Sequence, residues 1–121
     1  MHEGADEFTS LGNSLAILAK VATKDEAREI CKKITSGEFV ECSVSMKLMQ
    51  YEALLSVDPD YKQFILSEIR KNYQIMLDFG HDTVWETMGG WQDFNDAGSL
   101  CHGWSAIPIY FFHKFGIARR I

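Results

Sequence analysis

Apolar residues recur every three or four positions through most of this 121-residue chain, and this helical spacing is the strongest constraint on its fold. One stretch places four apolar residues at the i, i+3, i+4 and i+7 positions of a single helix face: Ala27, Ile30, Cys31 and Ile34. The same stretch opens with the Thr-x-x-Glu pattern of a capping box, in which Thr23 caps the helix and Glu26 reaches back to it. No alternating pattern of useful strand length competes with these signals, so we predict an all-α fold.

Five helical segments follow from this spacing, and most of their ends carry a start or stop signal. Their approximate bounds, with caps, are residues 11–21, 23–37, 44–56, 61–79 and 102–115. Pro59 interrupts the pattern before the fourth helix, which Asp60 is expected to cap. Gly37, Gly80 and Gly116 are expected to end the second, fourth and fifth helices. We therefore expect two helical hairpins followed by a single helix.

Composition and charge exclude several classes of protein. The content of 46% hydrophobic and 24% charged residues is typical of one globular domain of this length. A net charge of −5 and scattered Lys and Arg residues leave no basic face, so we expect no nucleic-acid partner. The longest apolar run, Ala106–Phe112, is far shorter than the ~20 residues of a membrane span. The acidic N-terminus is not a signal peptide, so we expect no membrane partner and, if the chain is complete, a cytoplasmic protein.

The cysteines and histidines predict neither disulfides nor a metal site. Three cysteines, an odd number without paired spacing, do not form a disulfide framework, and Cys31 is expected in the core because it lies on an apolar helix face. Four residues that could ligate a metal lack a known ligand spacing: His81, Asp82, Cys101 and His102. We therefore expect no metal and no cofactor.

The candidate site lies between the fourth and fifth predicted helices, in a long connection that contains Gly89, Gly90 and Gly98. A connection of this length inside a compact domain is often functional. It and the start of the fifth helix collect carboxylates, a histidine and all three tryptophans of the chain: Trp85, Glu86, Trp91, Asp93, Asp96, His102 and Trp104. Indole faces either pack in a core or stack on sugar rings, and this clustering favours a carbohydrate site.

Glu86 is the strongest candidate for acid–base chemistry. Its neighbours include Trp85 and Met88, and no Lys or Arg lies between Lys71 and Lys114. A partly buried Glu86 would therefore need a long-range contact or a raised pKa, either of which suits a general acid or base. The alternative is a capping or salt-bridged carboxylate.

The other carboxylates and His102 are more ambiguous. Paired carboxylates are what glycoside hydrolysis requires, but Asp93 and Asp96 also fit ordinary turn chemistry. His102 stands at the predicted start of the fifth helix, where capping or packing is the alternative to ligand binding.

Three passages together resemble the bacterial α-L-rhamnosidases, which belong to the six-hairpin glycosidases. Leu11–Ala16 is similar to the Asn-x-Leu-Ala helix of a late hairpin, and Thr83–Glu86 is similar to the family's Thr-x-x-Trp/Phe-Glu segment. Ser99–Pro108 resembles the Ser-x-x-His-Gly/Ala-Trp segment, and the closing Phe115-Gly116-Ile117 also fits. The resemblance implies that residues 1–121 are the C-terminal portion of an (α/α)6 catalytic toroid built from antiparallel helical hairpins.

The resemblance also implies an activity and residue roles. The family removes terminal L-rhamnose with inversion of configuration, and Glu86 corresponds to the general base that deprotonates the attacking water. His102 would hydrogen-bond the sugar, Trp104 would line its subsite, and Trp85 is also assigned to substrate binding. The segment that carries the family's general acid is missing, so we expect this chain to be inactive alone.

The fifth helix leaves two further interpretations open. Its sequence is apolar nearly all round, and such a helix is normally buried on several sides. The chain is therefore either an oligomer or a piece of a larger helical assembly, and in both cases we expect a homo-oligomer that associates through exposed apolar helix faces. The alternative functions are a small interaction module that associates through this helix and another six-hairpin carbohydrate enzyme.

Overall fold

Helices fill most of the chain between residues 8 and 117, the range that this computed structural model describes. The α-helices are α1 (Ser10–Leu18), α2 (Lys24–Ser36), α3 (Lys47–Val57), α4 (Lys62–Asp78), α5 (Asp93–Asp96) and α6 (Ile107–Lys114). Single 3₁₀ turns precede α3, α4, α5 and α6, at Val44–Met46, Pro59–Tyr61, Gly90–Gln92 and Gly103–Ser105. Residues 8–117 contain no β-strand, only an isolated parallel bridge between Thr9 and Val40, so the predicted all-α class is confirmed.

The described residues divide into two compact units, which are considered separately. Unit 1 comprises residues 8–42 and 46–66, and unit 2 comprises residues 43–45 and 67–117. In unit 1 the hairpin of α1 and α2 packs against α3. The buried apolar side chains of this unit are Ile17, Ala27, Cys31, Ile34, Tyr51, Ala53, Leu54 and Ile65.

Cys31 is a core residue, as predicted, and none of its surface is exposed. Burial raises the pKa of its thiol to about 11, and the carboxylate of Asp58 acts in the same direction. A thiol held in its protonated form is a poor nucleophile, so Cys31 contributes packing rather than chemistry.

Local side-chain chemistry sets the ends of α1 and α2. The capping box is formed as predicted: the backbone N–H of Glu26 donates to the hydroxyl of Thr23, and the Thr23 N–H donates to the Glu26 carboxylate. Gly37 ends α2 in the left-handed conformation with φ 75°. The first helix ends at Leu18, earlier than expected, because Lys20 adopts a left-handed φ of 60° that cannot continue it.

Unit 2 contains most of α4, the irregular segment that follows it, α5 and α6. Its buried apolar side chains are Val44, Ile69, Met76, Trp85, Ile107 and Phe111. One cluster joins Val44, Met76 and Trp85, with half-buried Tyr73, Ile75, Met88 and Leu100 packed around it. The irregular segment is therefore anchored to α4 through an indole ring.

Two predicted helix starts are wrong. Asp58, not Asp60, caps the turn that leads into α4: its carboxylate accepts the N–H of Asp60, because Pro59 occupies the first helical position. The last helix begins at Ile107 rather than His102. A proline is tolerated only in the first turn of a helix, so Pro108 requires α6 to begin next to it.

The connection from Gly80 to Gly98 is more ordered than the sequence suggested. It contains the 3₁₀ turn at Gly90–Gln92 and the single turn of α5. Within α5 the residues Phe94 and Asn95 have left-handed dihedral angles, with φ of 54° and 58°. None of the helices in the described range is both long and apolar enough to cross a membrane.

Candidate functional site

The C-terminal end of α4 directs the chain into the candidate site. Gly80 has a φ of 78°, and its N–H donates to the carbonyl of Leu77 at 2.8 Å. The N–H of His81 donates to the carbonyl of Met76 at 3.3 Å. These two bonds are the Schellman pattern that ends a helix with glycine, so His81 has a defined backbone position.

Two irregular segments then pair through backbone hydrogen bonds. The N–H of Glu86 donates to the carbonyl of Ser99 at 3.0 Å, and the N–H of His102 donates to the carbonyl of Val84 at 2.8 Å. The hydroxyl of Thr83 also donates to the carbonyl of Leu100. The fold therefore places the Glu86 segment directly beside the His102 segment, although they are 16 positions apart.

Glu86 offers a carboxylate that is available for chemistry. Its side chain is half-buried, and within residues 8–117 the carboxylate has neither a hydrogen bond nor an ion pair. The hydrogen bond from its backbone N–H to the carbonyl of Ser99 fixes the point from which the side chain extends. The carboxylate oxygens have no partner among the described residues. Such a group can accept a proton from water or a hydrogen bond from a hydroxyl.

His102 and Trp104 occupy the turn that precedes α6. His102 is half-buried and occupies the N-cap position of the 3₁₀ turn Gly103–Ser105. Its ring and that of Trp104 meet edge to face, with their centroids 6.0 Å apart. The Trp104 side chain is 77% exposed, which is unusual for a large aromatic residue. The imidazole nitrogens form no hydrogen bond to another residue of the described range, so both can meet a polar ligand.

Trp85 differs from the other predicted site residues because it lies in the core of unit 2. Only 4% of its surface is exposed, and its indole Nε1–H donates to Nδ1 of His81 at 3.0 Å. Little of the indole face is left for a sugar. The burial instead fixes the chain one residue before Glu86.

Two residues behind the turn were not singled out from the sequence. The phenol of Tyr73 donates to the carbonyl of Ser105, and burial raises the pKa of this phenol. Ser105 is fully buried, and its hydroxyl has no partner among the described residues. Helical spacing places Tyr73 on the apolar face of the fourth predicted helix, but it does not show which group the phenol contacts.

The remaining carboxylates near the site have different surroundings. Asp82 and Asp96 are exposed. The carboxylate of Asp93 accepts a hydrogen bond from the Thr87 hydroxyl, and its Oδ1 would lie 2.2 Å from a Cβ added to Gly89. Asp93 therefore closes a turn, as ordinary turn chemistry predicted. No group of three or more His, Cys, Asp or Glu side chains in the range 8–117 could hold a metal ion.

Comparison with known proteins gives one informative match. No protein-family model matches the chain, and no curated protein matches it. Among solved structures, the chain is similar to the crystal structure of a GH78 family rhamnosidase of Bacillus sp. GL1. The TM-score is 0.77 and the sequence identity is 28%, over 91% of this chain and 12% of that one.

The fold is rhamnosidase-like. The match supports the predicted class, an all-α arrangement of antiparallel helical hairpins that forms part of an (α/α)6 toroid. The matched protein is a glycoside hydrolase, and this chain spans 12% of its length. Because the chain spans so little of that protein, its activity and the roles of its residues rest on the geometry of the site.

Proposed function

We propose that this chain is the C-terminal portion of the catalytic domain of a rhamnosidase-like glycoside hydrolase, and that Glu86 is its general base. One observation carries the proposal: backbone pairing places the unpartnered Glu86 carboxylate on a segment beside the turn that presents His102 and Trp104. A carboxylate, an imidazole and an exposed indole are the groups that bind and hydrolyse a sugar. The similarity to a GH78 rhamnosidase favours terminal L-rhamnose as the sugar.

The proposed reaction is hydrolysis with inversion. Glu86 removes a proton from water as the water attacks the anomeric carbon, and a second carboxylic acid protonates the leaving oxygen. Inverting hydrolases hold the two carboxyl groups roughly 6.5–9.5 Å apart so that a water fits beside the sugar. We place the second group in a part of the enzyme outside these 121 residues, and we expect no hydrolysis by this chain alone.

The other site residues have separate roles in the proposal. The free ring nitrogens of His102 hydrogen-bond sugar hydroxyls, and the exposed indole of Trp104 lines the subsite. Trp85 contributes to binding indirectly, because its buried ring holds the chain at Glu86.

A chimera tests the proposal. This chain would replace the matching 12% of the Bacillus sp. GL1 rhamnosidase, and release of nitrophenol from 4-nitrophenyl α-L-rhamnoside would be measured. We expect a folded chimera to hydrolyse the substrate, and Glu86→Gln to lower kcat by ~10²–10⁴ with little change in KM, because the loss falls on proton transfer.

The matched control in the chimera is Asp82→Asn, which removes an exposed carboxylate from the same loop. We expect it to retain kcat within about threefold, which is under 1 kcal/mol of barrier. A Glu86→Gln chimera with the kcat of the unmodified chimera would contradict the base assignment. Activity on other glycosides but not on the rhamnoside would favour a different six-hairpin carbohydrate enzyme.

The exposed apolar surface of unit 2 supports a second candidate, a module that self-associates. Three large side chains on α6 and the turn before it are exposed: Trp104 at 77%, Ile109 at 72% and Tyr110 at 48%. Apolar patches of this kind favour association. Light scattering on the isolated chain tests this second candidate, because an interaction module requires a defined dimer and a monomer would exclude it.

A further inference from the structure

The contact between Trp85 and His81 is an isolated polar link inside an apolar cluster. The indole Nε1 lies 3.0 Å from Nδ1 of His81, and the two rings meet edge to face with centroids 5.4 Å apart. Phe79 completes a group of three rings. The centroid of its ring lies 5.5 Å from that of Trp85 and 6.3 Å from that of His81. The ring group joins the end of α4 to the loop that carries Glu86.

The buried indole depends on this acceptor. Trp85 is 4% exposed, and a buried indole N–H normally finds a hydrogen-bond partner. Among the described residues, Nδ1 of His81 is the acceptor that the indole N–H reaches. Because Nδ1 accepts, the proton of the neutral imidazole of His81 must reside on Nε2.

His81 is a suitable anchor because its own backbone is held by α4. Its N–H donates to the carbonyl of Met76, and Gly80 before it makes the left-handed turn that ends the helix. Met76 also packs on Trp85 in the same cluster. Met76 of α4 and His81 just beyond its end therefore both connect Trp85 to this helix.

We propose that His81 is a positioning residue that acts through Trp85 on Glu86, and that protonation of His81 releases this link. The effect on Glu86 rests on the proposed function, whereas the hydrogen bond and its loss do not. A neutral imidazole accepts the indole N–H. An imidazolium presents N–H groups on both nitrogens, so Nδ1–H would face the indole N–H with no acceptor between them.

Three carboxylates lie close to His81 along the chain. Asp78 lies at the end of α4, where its carboxylate accepts from Gln74, and exposed Asp82 follows His81 in the loop. Glu86 lies farther along the same loop, and the apolar cluster that contains Trp85 includes the phenol of Tyr73. The link is complete while His81 is neutral, and it is lost when Nδ1 gains a proton and can no longer accept the indole N–H.

The test is nuclear magnetic resonance of the three indole N–H groups in the 121-residue chain between pH 8 and pH 5. Trp85→Phe assigns the buried indole, and Trp91, which is 52% exposed, serves as the internal control. Trp104 is not a control, because its ring contacts that of His102. We expect the Trp85 signal to exchange slowly with solvent at pH 8 and to shift as the carbon-bound ring protons of His81 titrate. The signal of Trp91 should not follow that titration.

Two variants separate positioning from packing. In His81→Asn the amide oxygen replaces the acceptor with a group that does not titrate, so we expect the Trp85 signal to stay the same from pH 8 to 5. In His81→Leu there is no acceptor, so the signal should resemble the acidic form at every pH. If His81→Leu does not fold, the wild-type chain and His81→Asn still decide the question. A Trp85 signal that ignores the titration of His81, or that titrates in His81→Asn, would overturn the proposal.

The link to Glu86 is measured separately in the rhamnosidase chimera. We expect His81→Leu to lower kcat on the order of 10–100-fold, as small misplacements of a catalytic group do, with KM changed by less than about twofold. His81→Asn should restore kcat and remove the loss of rate that follows the titration of His81. A titrating Trp85 signal with an unaffected kcat would overturn the effect on Glu86 and leave the hydrogen-bond release standing. Loss of the proposed function alone would appear instead as an unaffected Glu86→Gln chimera.

Discussion

Unit 1 and unit 2 contain helices of similar kind, but they are held together by different interactions. In unit 1, apolar stripes meet in one core, and the helix ends are set by local features such as the Thr23 capping box and Gly37. In unit 2 the candidate site is formed by irregular backbone that individual hydrogen bonds hold in place. A regular helical scaffold can be predicted from the spacing of its apolar residues. The site cannot be predicted in this way, because it depends on contacts between residues that are distant in the sequence.

The largest effect should come from the core of unit 1. Leu54 is fully buried, and Leu54→Ala should lower the free energy of unfolding by about 2–5 kcal/mol through lost burial and a residual cavity. Urea unfolding followed by far-ultraviolet circular dichroism measures the loss. Leu15→Ala is the matched control, because Leu15 is 45% exposed. Equal losses in the two variants would show that this core is not packed as described.

An intermediate effect should come from the backbone of unit 2. A Cβ at Gly98 would lie 1.8 Å from the carbonyl oxygen of Gly90, so Gly98→Ala forces the loop apart and should cost about 1–3 kcal/mol. Tryptophan fluorescence measures this change, since all three tryptophans lie in unit 2. Gly103→Ala is the control, because no atom lies within 4 Å of its added Cβ. A destabilised Gly103→Ala with a stable Gly98→Ala would reverse this account of the loop.

The smallest effect should come from a helix cap in unit 1. Thr23→Ala removes the hydroxyl that accepts the Glu26 N–H, and the expected loss is roughly 0.5–2 kcal/mol. Thr23→Ser keeps the hydroxyl and should retain most of the stability. The melting temperatures of the two variants provide the comparison. An unchanged Thr23→Ala protein would mean that the exposed cap contributes little to unit 1.

The same division explains which predictions succeeded. The capping box, the Gly37 stop and the burial of Cys31 were predicted correctly because each depends on residues a few positions apart on one helix. The start of the last helix was wrong because an apolar run from 106 to 112 looks helical throughout, although Pro108 limits where a helix can begin. The loop after Gly80 had no period to analyse, so its turns could not be located in advance.

Within the candidate site, residue types were visible in the sequence and their surroundings were not. Glu86, His102 and Trp104 were selected by chemistry, and the structure places Glu86 and His102 on paired segments. Trp85 was selected by the same reasoning, yet it is buried against α4 with His81 as its acceptor. One tryptophan cannot be distinguished from another by type, because burial depends on what the fold packs against each ring.

The sequence by itself determined the helical class, the caps of α2, the lack of a basic face and the set of candidate site residues, because spacing, local hydrogen bonding and charge are encoded over short distances. The tertiary structure alone decided that residues 83–86 pair with residues 99–102, that Trp104 is exposed, and that His81 accepts the indole N–H of Trp85. These contacts join backbone and side chains that have no periodic relation in the chain. They form only when the loop after α4 folds back onto that helix.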